Sequence, residues 1–543
     1  MASRAISCLA LLLVVTGGIC GCGSASDGTA DGVATTEPVV LHRGNGGDPQ
    51  TLDPARAEDV HSFNVLTDLY EGLLSLDAHG NIVAGIAESW DVSSDGLIYT
   101  FRLATDARWS DGAPVTAEHV VDGMRRTLAP ETGSAYSSLL YPIRNAEAIA
   151  QGTLETTSLG VTASDAKTVV IQLHAQAPYF PSVLTMPIAY PFRSDADVPN
   201  ERFSDPQQFV GNGPFVLEEW HPGSHILLRR NRAFREADLV ALDAVRYFAI
   251  TAPGTELNMY RAGELDITYT VPGSQVNSLR KTHATELQIV PNLGLYYLAF
   301  DLSEAPFDNA ALRKALSMAI DREALVRVTG RGEQAAYGLV PDGVNGYEPA
   351  RFSWNSLPQD ERLVKARGLY EQAGYSAENP LQVTLLYDAG DFHETIALAV
   401  SAMWRENLGA EVELDKREWQ YFLATRKNRG DWQVMRFAWN GDYDHPGTFT
   451  DILHSKNPQN LPGYSNATYD QLLAEAEAAV STEEQMHLYA AAEAAMLEDD
   501  PIAPLYFYVS KHLVAPSVSG FENNVLDRHP SRYLNKSRAD SAR

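Results

Sequence analysis

The position of the cysteines is the feature that most constrains the fold. All three, Cys8, Cys20 and Cys22, lie within the first 22 residues of a 543-residue chain. The rest of the chain therefore cannot hold a disulfide framework or a cysteine-based zinc or iron–sulfur site. It must be stabilised by buried apolar surface. A chain of this length exceeds what one hydrophobic core supports, so we expect roughly three domains.

The N-terminus is typical of an exported protein. Arg4 precedes a mostly apolar stretch, residues 5–19, with the length of a signal-peptide core and too short to span a bilayer comfortably. The stretch ends in "ICGC" at residues 19–22, which resembles the lipobox of bacterial lipoproteins. Cys22 fits the acylated position best and Cys20 is the fallback. Secretory cleavage after a small residue, without lipid, is the alternative.

These features predict an extracytoplasmic, periplasmic protein that is lipid-anchored to a bacterial membrane. Residues 1–21 would be the signal peptide, and several acyl chains on Cys22 would hold the protein stably, since affinity grows by about 0.8 kcal/mol per buried CH₂. Residues 22–37 are rich in small and polar side chains and predict a flexible tether. The sequence does not indicate which membrane holds the lipid.

The charge of the chain argues against nucleic acid as a partner. Lys and Arg number 42 against 70 Asp and Glu, a net charge of −28. Such a surface repels phosphates and anionic headgroups. It mildly favours cationic or zwitterionic ligands.

Strand and helix patterns interleave along the chain. Residues 98–103 and 168–173 alternate apolar and polar side chains, as half-buried strands do. Apolar residues at helical spacing predict a helix over residues 63–73, and Asp308 is a plausible cap for a helix through Leu316. The interleaving predicts an α/β fold.

Enzyme motifs are missing from the sequence. It has no Gly-x-Ser-x-Gly, no Walker-type loop and no His-Glu-x-x-His, and the body has no cysteine nucleophile. The cluster Asp442, Asp444 and His445 could in principle hold a metal, but residues so close in an irregular stretch rarely converge on one ion. We therefore expect no catalysis, no cofactor and no metal.

Several collinear motifs resemble the peptide-binding class of extracytoplasmic solute-binding proteins, which serve ABC importers. The resemblance covers roughly residues 40–530 and is closest to the oligopeptide-binding members over residues 385–446. The motifs are "DPQTLDP" (48–54), "LYEGLL" (69–74), "ESWDVSSDGLIYTFRL" (88–103), "GNGPFVLEEW" (211–220), "AGELDITY" (262–269) and "PFDNAALRKALSMAIDREALV" (306–326).

The resemblance implies a bilobal, periplasmic-binding-protein-like fold with an extra third domain. Its map is domain I from 38–70, 194–293 and 510–543, domain II from 71–193, and domain III from 294–509. Domain III is then the second jaw of a cleft, and the chain crosses between jaws near residues 293 and 509.

The same resemblance places the candidate ligand-binding residues. It puts Asp442 at the peptide α-ammonium, Arg436 at the peptide carboxylate, and Arg426 and His393 at further carboxylate positions. Glu58 matches a position near the first peptide residues. The aromatic positions lining the pockets are Trp419, Tyr136, Tyr269 and Tyr508.

Residue chemistry supports two of these roles, although each has a structural alternative. A carboxylate facing an ammonium in a closed cleft makes a strong charge-assisted hydrogen bond, which suits Asp442. The fork of Arg436 suits a carboxylate. If residues 432–439 form a strand, Arg436 shares a face with Val434 and Ala438 and needs an anionic partner. That partner would be a ligand or an internal carboxylate.

One departure from the resemblance falls in the cleft. Oligopeptide-binding proteins of enteric bacteria carry a disulfide there, and Gly294 and Asn440 occupy its two positions. Because neither position is a cysteine here, the resemblance does not predict the fine ligand specificity of the cleft, although it still predicts the fold.

The implied function is capture of short peptides by a monomer, followed by delivery to ABC transporter permease subunits. Another solute in the same fold (nickel chelate, haem, murein peptide or an opine-like compound) is the nearest alternative. A peptidase or a chaperone-like lipoprotein is the alternative from another class.

Overall fold

Two mixed sheets and one antiparallel sheet organise the protein. The computed structural model describes residues 38–194, 203–344, 346–389, 391–418, 421–422, 425, 431–441, 443–457, 459–479 and 481–537. Residues 38–543 form one compact unit. Within the described residues, no helix combines the length and the apolarity that a membrane crossing requires.

The strands of the described residues are mostly short and come from all parts of the chain. They are β1 Val40–Gly44, β2 Leu74–Leu76, β3 Ile82–Ala84, β4 Ala87–Val92, β5 Ile98–Leu103, β6 Val161–Asp165, β7 Thr168–Gln172, β8 Phe215–His221, β9 His225–Arg230, β10 Ala244–Phe248, β11 Leu287–Phe300, β12 Gln334–Ala335, β13 Gln382–Asp388, β14 Glu411–Arg417, β15 Val434–Asn440, β16 Ile502–Leu513, β17 Val518–Ser519 and β18 Asn535–Lys536.

The α-helices lie between these strands. They are α1 Val60–Leu69, α2 Ala117–Leu128, α3 Ala146–Ala150, α4 Phe180–Val183, α5 Pro253–Arg261, α6 Val276–Thr282, α7 Ala310–Met318, α8 Arg322–Thr329, α9 Gln359–Gln372, α10 Asp391–Leu408, α11 Gly447–Thr450, α12 Ala467–Ala478 and α13 Thr482–Asp499.

The sheets draw on different parts of the chain. One has the order β1-β10-β9-β8 with β1 parallel to β10, and another, β4-β5-β7-β6, is antiparallel throughout. The largest has six strands in the order β12-β16-β11-β15-β13-β14, with β13 parallel to both of its neighbours. The mixed α/β architecture predicted from the sequence is confirmed.

Buried side chains form three hydrophobic clusters. The amino-terminal core contains residues from Leu41 to Tyr247 together with Ile267, Val514 and Leu534, and the carboxy-terminal core contains residues from Leu293 to Phe507 together with Val525. A small third core is built on α5 and α6 and includes Leu513. The buried apolar surface of the described residues is thus divided among three clusters.

Strands β11 and β16 pair with each other and run from one core to another. Leu287, at the start of β11, packs against the third core, whereas residues 293–300 lie in the carboxy-terminal core. The antiparallel register runs from Leu287 opposite Leu513 to Ala299 opposite Ile502, with a shift between Pro291 and Leu295. We call this pair the crossing ribbon. A shift of this kind bends a ribbon locally.

Local sequence signals located most elements. Residues 98–103 form β5, with Tyr99, Phe101 and Leu103 buried. Two expectations were wrong in detail. Helix α1 ends at Leu69, and the cap of α7 is Asn309, whose side chain accepts hydrogen bonds from the N–H groups of the next helical residues, rather than Asp308.

Candidate ligand-binding site

Several predicted site residues lie outside the described residues, and their roles stay predictions. They are Asp442, Arg426 and Trp419, which the resemblance assigns to ligand binding, and Cys22, with its alternative Cys20, at the N-terminus.

Arg436 lies in the middle of β15 and is buried. Its Nε is 2.8 Å from Oδ1 of Asp388, the last residue of β13. The N–H is not aligned with that oxygen, so the contact is an ion pair rather than a hydrogen bond. The guanidinium also lies 5.3 Å from the ring centre of Tyr296. The cation on this largely buried face thus has an internal anionic partner.

His393, near the start of α10, continues this network. Its Nε2 accepts a hydrogen bond from Nη2 of Arg436 at 2.6 Å, so Nδ1 carries the proton and faces the hydroxyl of Tyr296 at 3.3 Å. Burial, followed by the charge of Arg436, lowers the pKa of His393 to about 4, although Asp388 opposes this. His393 is therefore neutral at pH 7.

This lowered pKa has a testable consequence for stability. The unfolded chain takes up a proton at His393 near pH 6.5 and the folded chain only near pH 4, so the stability that the neutral ring contributes is lost as pH falls through this window. The loss of unfolding free energy caused by His393→Ala should therefore shrink between pH 6.5 and 4. Denaturant unfolding over a pH series measures it, with exposed His174→Ala as control. A penalty that does not change with pH would contradict the assignment.

Asn440 and Gly294 are direct partners across β15 and β11. A Cβ atom at residue 294 would lie 2.8 Å from the ring of Tyr508 and 2.9 Å from the side-chain oxygen of Asn440. Tyr508 and Asn440 thus pack against the side of Gly294 where a side chain would project. The two positions that the resemblance links by a disulfide are neighbours here, and a half-buried tyrosine covers one of them.

The remaining described candidates surround α1. Glu58 is exposed just before the helix, and its Oε1 accepts a hydrogen bond from Gln50 at 3.2 Å. Tyr136 packs edge-on against Phe63 of α1 with ring centres 5.9 Å apart. Tyr269 contacts His61 at 5.3 Å. These residues belong to the amino-terminal side of the molecule, whereas Arg436, His393, Asn440 and Tyr508 belong to the carboxy-terminal side.

A cavity of about 150 Å³ lies between the two large cores. Phe63, Thr67 and Tyr190 line it from the amino-terminal core. Gly441, Tyr443 and Asp444, which flank residue 442, line it from the other side. The position that the resemblance assigns to the α-ammonium is therefore bracketed by residues of this cavity.

Two tyrosines form a contact across the cavity region. The ring of Tyr179, just before α4, stacks on the ring of Tyr443 with centres 4.6 Å apart and planes 14° apart. Stacked aromatic pairs are worth about 0.5–1.5 kcal/mol beyond their buried area. This contact joins Tyr179, which packs against the amino-terminal core, to Tyr443, which lines the cavity.

Strand β15 has a free edge beyond its first two residues. Its pairing with β13 covers only Val434 and Met435, whereas its pairing with β11 continues to Asn440. Among the described residues, 436–440 thus pair on one side only. Unpaired N–H and C=O groups of a strand edge are a template for an added strand.

In the part of the chain that the structure describes, two clusters have the residue types of a metal site. The donor atoms of Glu219, His221 and His225, on the β8–β9 hairpin, lie within 4.8 Å of one another. The other cluster is His512, Asp527 and His529.

The sequence reading missed two charged residues. Asp388 closes the ion pair with Arg436, but it lies 48 positions earlier in the chain, so the only signal was its place at the end of an apolar strand. Arg528 lines the cavity, and no local pattern indicated it.

Comparison with known proteins identifies relatives along almost the whole chain. The model of "Bacterial extracellular solute-binding proteins, family 5 Middle" matches residues 81–460. The periplasmic oligopeptide-binding protein OppA of Escherichia coli is 35% identical over 90% of this chain and 91% of its own. The probable deoxycholate-binding periplasmic protein YgiS of the same organism is also 35% identical, covering 89% and 90%.

Solved structures of related proteins also match this chain over more than nine-tenths of its length. The unliganded open form of the murein tripeptide-binding protein MppA aligns with a TM-score of 0.87 at 34% identity, covering 92% of this chain and 98% of its own. A second MppA structure, from Escherichia coli, gives 0.73 at the same identity, covering 93% and 99%. Haemophilus influenzae OppA with the peptide RPPGFSPFR gives 0.71 at 32%, covering 93% and 100%.

The TM-score differs between the two MppA structures. The two MppA structures have the same identity to this chain, so sequence divergence does not account for the difference between 0.87 and 0.73. The arrangement described here resembles the open, unliganded form. The bilobal fold predicted from the sequence is confirmed, and this chain belongs to the bacterial extracellular solute-binding proteins of family 5.

Proposed function

We propose that this protein captures short peptides outside the cytoplasm, in the cleft between its two large cores, and delivers them to the permease of an ABC importer. The observation that carries the proposal is similarity over nine-tenths of the chain to OppA, together with the match to an OppA structure that holds a peptide. We infer that the chain acts as a monomer and performs no catalysis.

The three-domain map of the sequence analysis is part of the proposal. Domain III, residues 294–509, agrees with the carboxy-terminal core, whose members run from Leu293 to Phe507 with Val525 added. Domains I and II share the amino-terminal core but carry separate sheets. The crossing ribbon contains both proposed passages between jaws, near residues 293 and 509.

The free edge of β15 supplies the sequence-independent part of binding. A peptide lying along residues 436–440 would pair its backbone with that edge, as in strand addition. Such hydrogen bonds do not depend on side chains, so they tolerate many sequences. Water in roomy pockets would satisfy polar side chains.

Charged residues would hold the two ends of the peptide. In this proposal Asp442 receives the α-ammonium, with Glu58 nearby, and Arg436, Arg426 or His393 receives the carboxylate at different peptide lengths. Asp388 contacts Nε of Arg436, and His393 contacts Nη2. Because neither of these residues contacts Nη1, the internal ion pair is compatible with binding a ligand carboxylate at Nη1. Pockets would be lined by Trp419, Tyr136, Tyr269, Tyr508 and Asn440.

Closure would bring these two groups of residues together. Rotation of domain III about the crossing ribbon is a hinge motion, and the likeness to an open, unliganded form supports an open resting state. The shift between Pro291 and Leu295 is a suitable place for bending, because the ladder is interrupted there.

Anchoring by lipid is a separate part of the proposal. Mass spectrometry of the mature protein from a bacterial host should find Cys22 as an acylated N-terminus, because the preceding residues match a lipobox. Cys22→Ala should release the protein from membranes. An unmodified N-terminus at another residue would contradict the anchor and leave peptide binding untouched.

Isothermal titration calorimetry with defined solutes tests the function. We expect an unblocked tripeptide such as Ala-Ala-Ala to bind with one site per chain. Deoxycholate, the solute named for one relative, is the matched competitor. Binding of deoxycholate together with failure of a panel of unblocked di- to pentapeptides would overturn the proposal.

A further inference from the structure

Arg528 is a half-buried cation that lines the cavity between the cores and forms no ion pair with any described residue, although the charge of the neighbouring Asp527 attracts it. Its Nη1 is buried with no hydrogen-bond partner. Its guanidinium lies 5.3 Å from the ring centre of Phe63, on α1. A buried N–H group without a partner is costly, so an acceptor that reaches this guanidinium would stabilise it.

The backbone fixes Arg528 in this place. The side chain of Asn524 accepts the N–H of Arg528 at 3.1 Å and donates to its carbonyl oxygen at 2.8 Å. Both backbone groups are therefore engaged by one side chain. The position of the arginine is set by the loop, not by a partner of its guanidinium.

The neighbouring carboxylate is already occupied. Oδ1 of Asp527 accepts hydrogen bonds from Nε2 of His512 at 2.8 Å and from Nε2 of His529 at 3.1 Å. Nδ1 of His512 faces the carbonyl oxygen of Thr268 at 2.9 Å, and a carbonyl can only accept. The carboxylate of Asp527 is thus committed to the two histidines.

Arg528 takes no part in these hydrogen bonds and lines the cavity. Polar and apolar side chains line this cavity in similar number, and its other charged lining residue is Asp444.

We propose that Arg528 is a carboxylate-binding subsite of the cleft, which makes the protein selective for peptides with an acidic side chain. This rests on the proposed peptide-binding function. A carboxylate entering the cavity would meet the planar guanidinium and accept charge-assisted hydrogen bonds from it. Gly441, Tyr443 and Asp444 line the same cavity. If the proposed role of Asp442 holds, the acidic side chain therefore belongs to one of the first peptide residues.

Matched peptide pairs test the subsite. Glu-Ala-Ala is compared with Gln-Ala-Ala, and Ala-Glu-Ala with Ala-Gln-Ala, so that each pair differs in one charge but not in shape. In one of the pairs, wild-type protein should bind the Glu peptide at least about tenfold more tightly. Arg528→Gln should reduce that ratio to near one and leave the affinity for the Gln peptide within about threefold.

Two further variants serve as controls for the role of Arg528. Arg528→Lys keeps the charge without the fork and should give an intermediate ratio. Arg102→Gln, which removes an exposed arginine paired with Asp91, should leave the ratio unchanged. Binding of the Gln peptide shows that each variant is folded.

The outcomes separate the inference from the function. Gln and Glu peptides that bind wild type equally well would overturn the subsite and leave peptide capture standing. Equal weakening of both peptides by Arg528→Gln would make Arg528 structural. Failure of all four peptides to bind would remove the proposed function, and the subsite with it.

Discussion

Replacing Asp442 by asparagine should lower the affinity for unblocked peptides at least about tenfold. The variant keeps the shape of the side chain and removes the charge to which the proposed function assigns the peptide ammonium. Breaking a desolvated charge pair costs about 2–5 kcal/mol, because one charge stays buried without its partner. Calorimetry with Ala-Ala-Ala measures the change.

Blocking the peptide provides the matched comparison. N-acetyl-Ala-Ala-Ala should bind wild type about as weakly as the free peptide binds Asp442→Asn, and the variant should not distinguish the two peptides. Asp431→Asn, which changes an exposed carboxylate in the same segment, should bind like wild type. Unchanged binding in both Asp442→Asn and the acetylated peptide would end the assignment of Asp442.

Replacing Arg436 by glutamine should cost about 3–5 kcal/mol of unfolding free energy. The change leaves Asp388 buried without its cation, and an unpaired buried charge is strongly destabilising. The two side chains are only 10% and 12% exposed, so solvent screens the pair little. Denaturant unfolding at pH 7 measures the loss.

A double variant separates the structural role of Arg436 from its ligand role. Arg436→Gln combined with Asp388→Asn removes both charges and should recover most of the lost stability. If Arg436 also holds a ligand carboxylate, the double variant should still bind a free-acid tripeptide weakly, whereas its affinity for the C-terminally amidated tripeptide should match that of wild type. Full recovery of free-acid binding would make Arg436 purely structural.

Elements with a strong local pattern were predictable from the sequence, and their ends were not. Strand β5 matches its predicted range because alternation and burial agree residue by residue. Helix α1 stops at Leu69, and Tyr70 is extended with φ −132°. A Cβ at Gly213 would lie 2.5 Å from the backbone of Leu69 and Tyr70, so a distant segment packs closely against this turn. Helical spacing alone does not reveal such a contact.

Collinear motifs predicted which positions would lie side by side. They did not predict contacts that depend on tertiary structure. The resemblance paired positions 294 and 440, and the register of β11 with β15 places them side by side. The ion-pair partner of Arg436 could not be predicted in this way. Asp388 reaches it because the parallel strands β13 and β15 separate after Leu386 and Met435, and no local pattern encodes that register. Arg528 likewise enters the cavity only through tertiary structure.

Native mass spectrometry after incubation with a mixed library of tri- to pentapeptides tests the central claim most directly. The complete chain should retain one intact peptide, and peptides in the mixture should keep their masses because the proposed function includes no catalysis. Deoxycholate added at the same concentration should not displace the peptide. A chain that returns free of peptide, or peptides that return as fragments, would contradict an open cleft that closes on a short zwitterionic peptide.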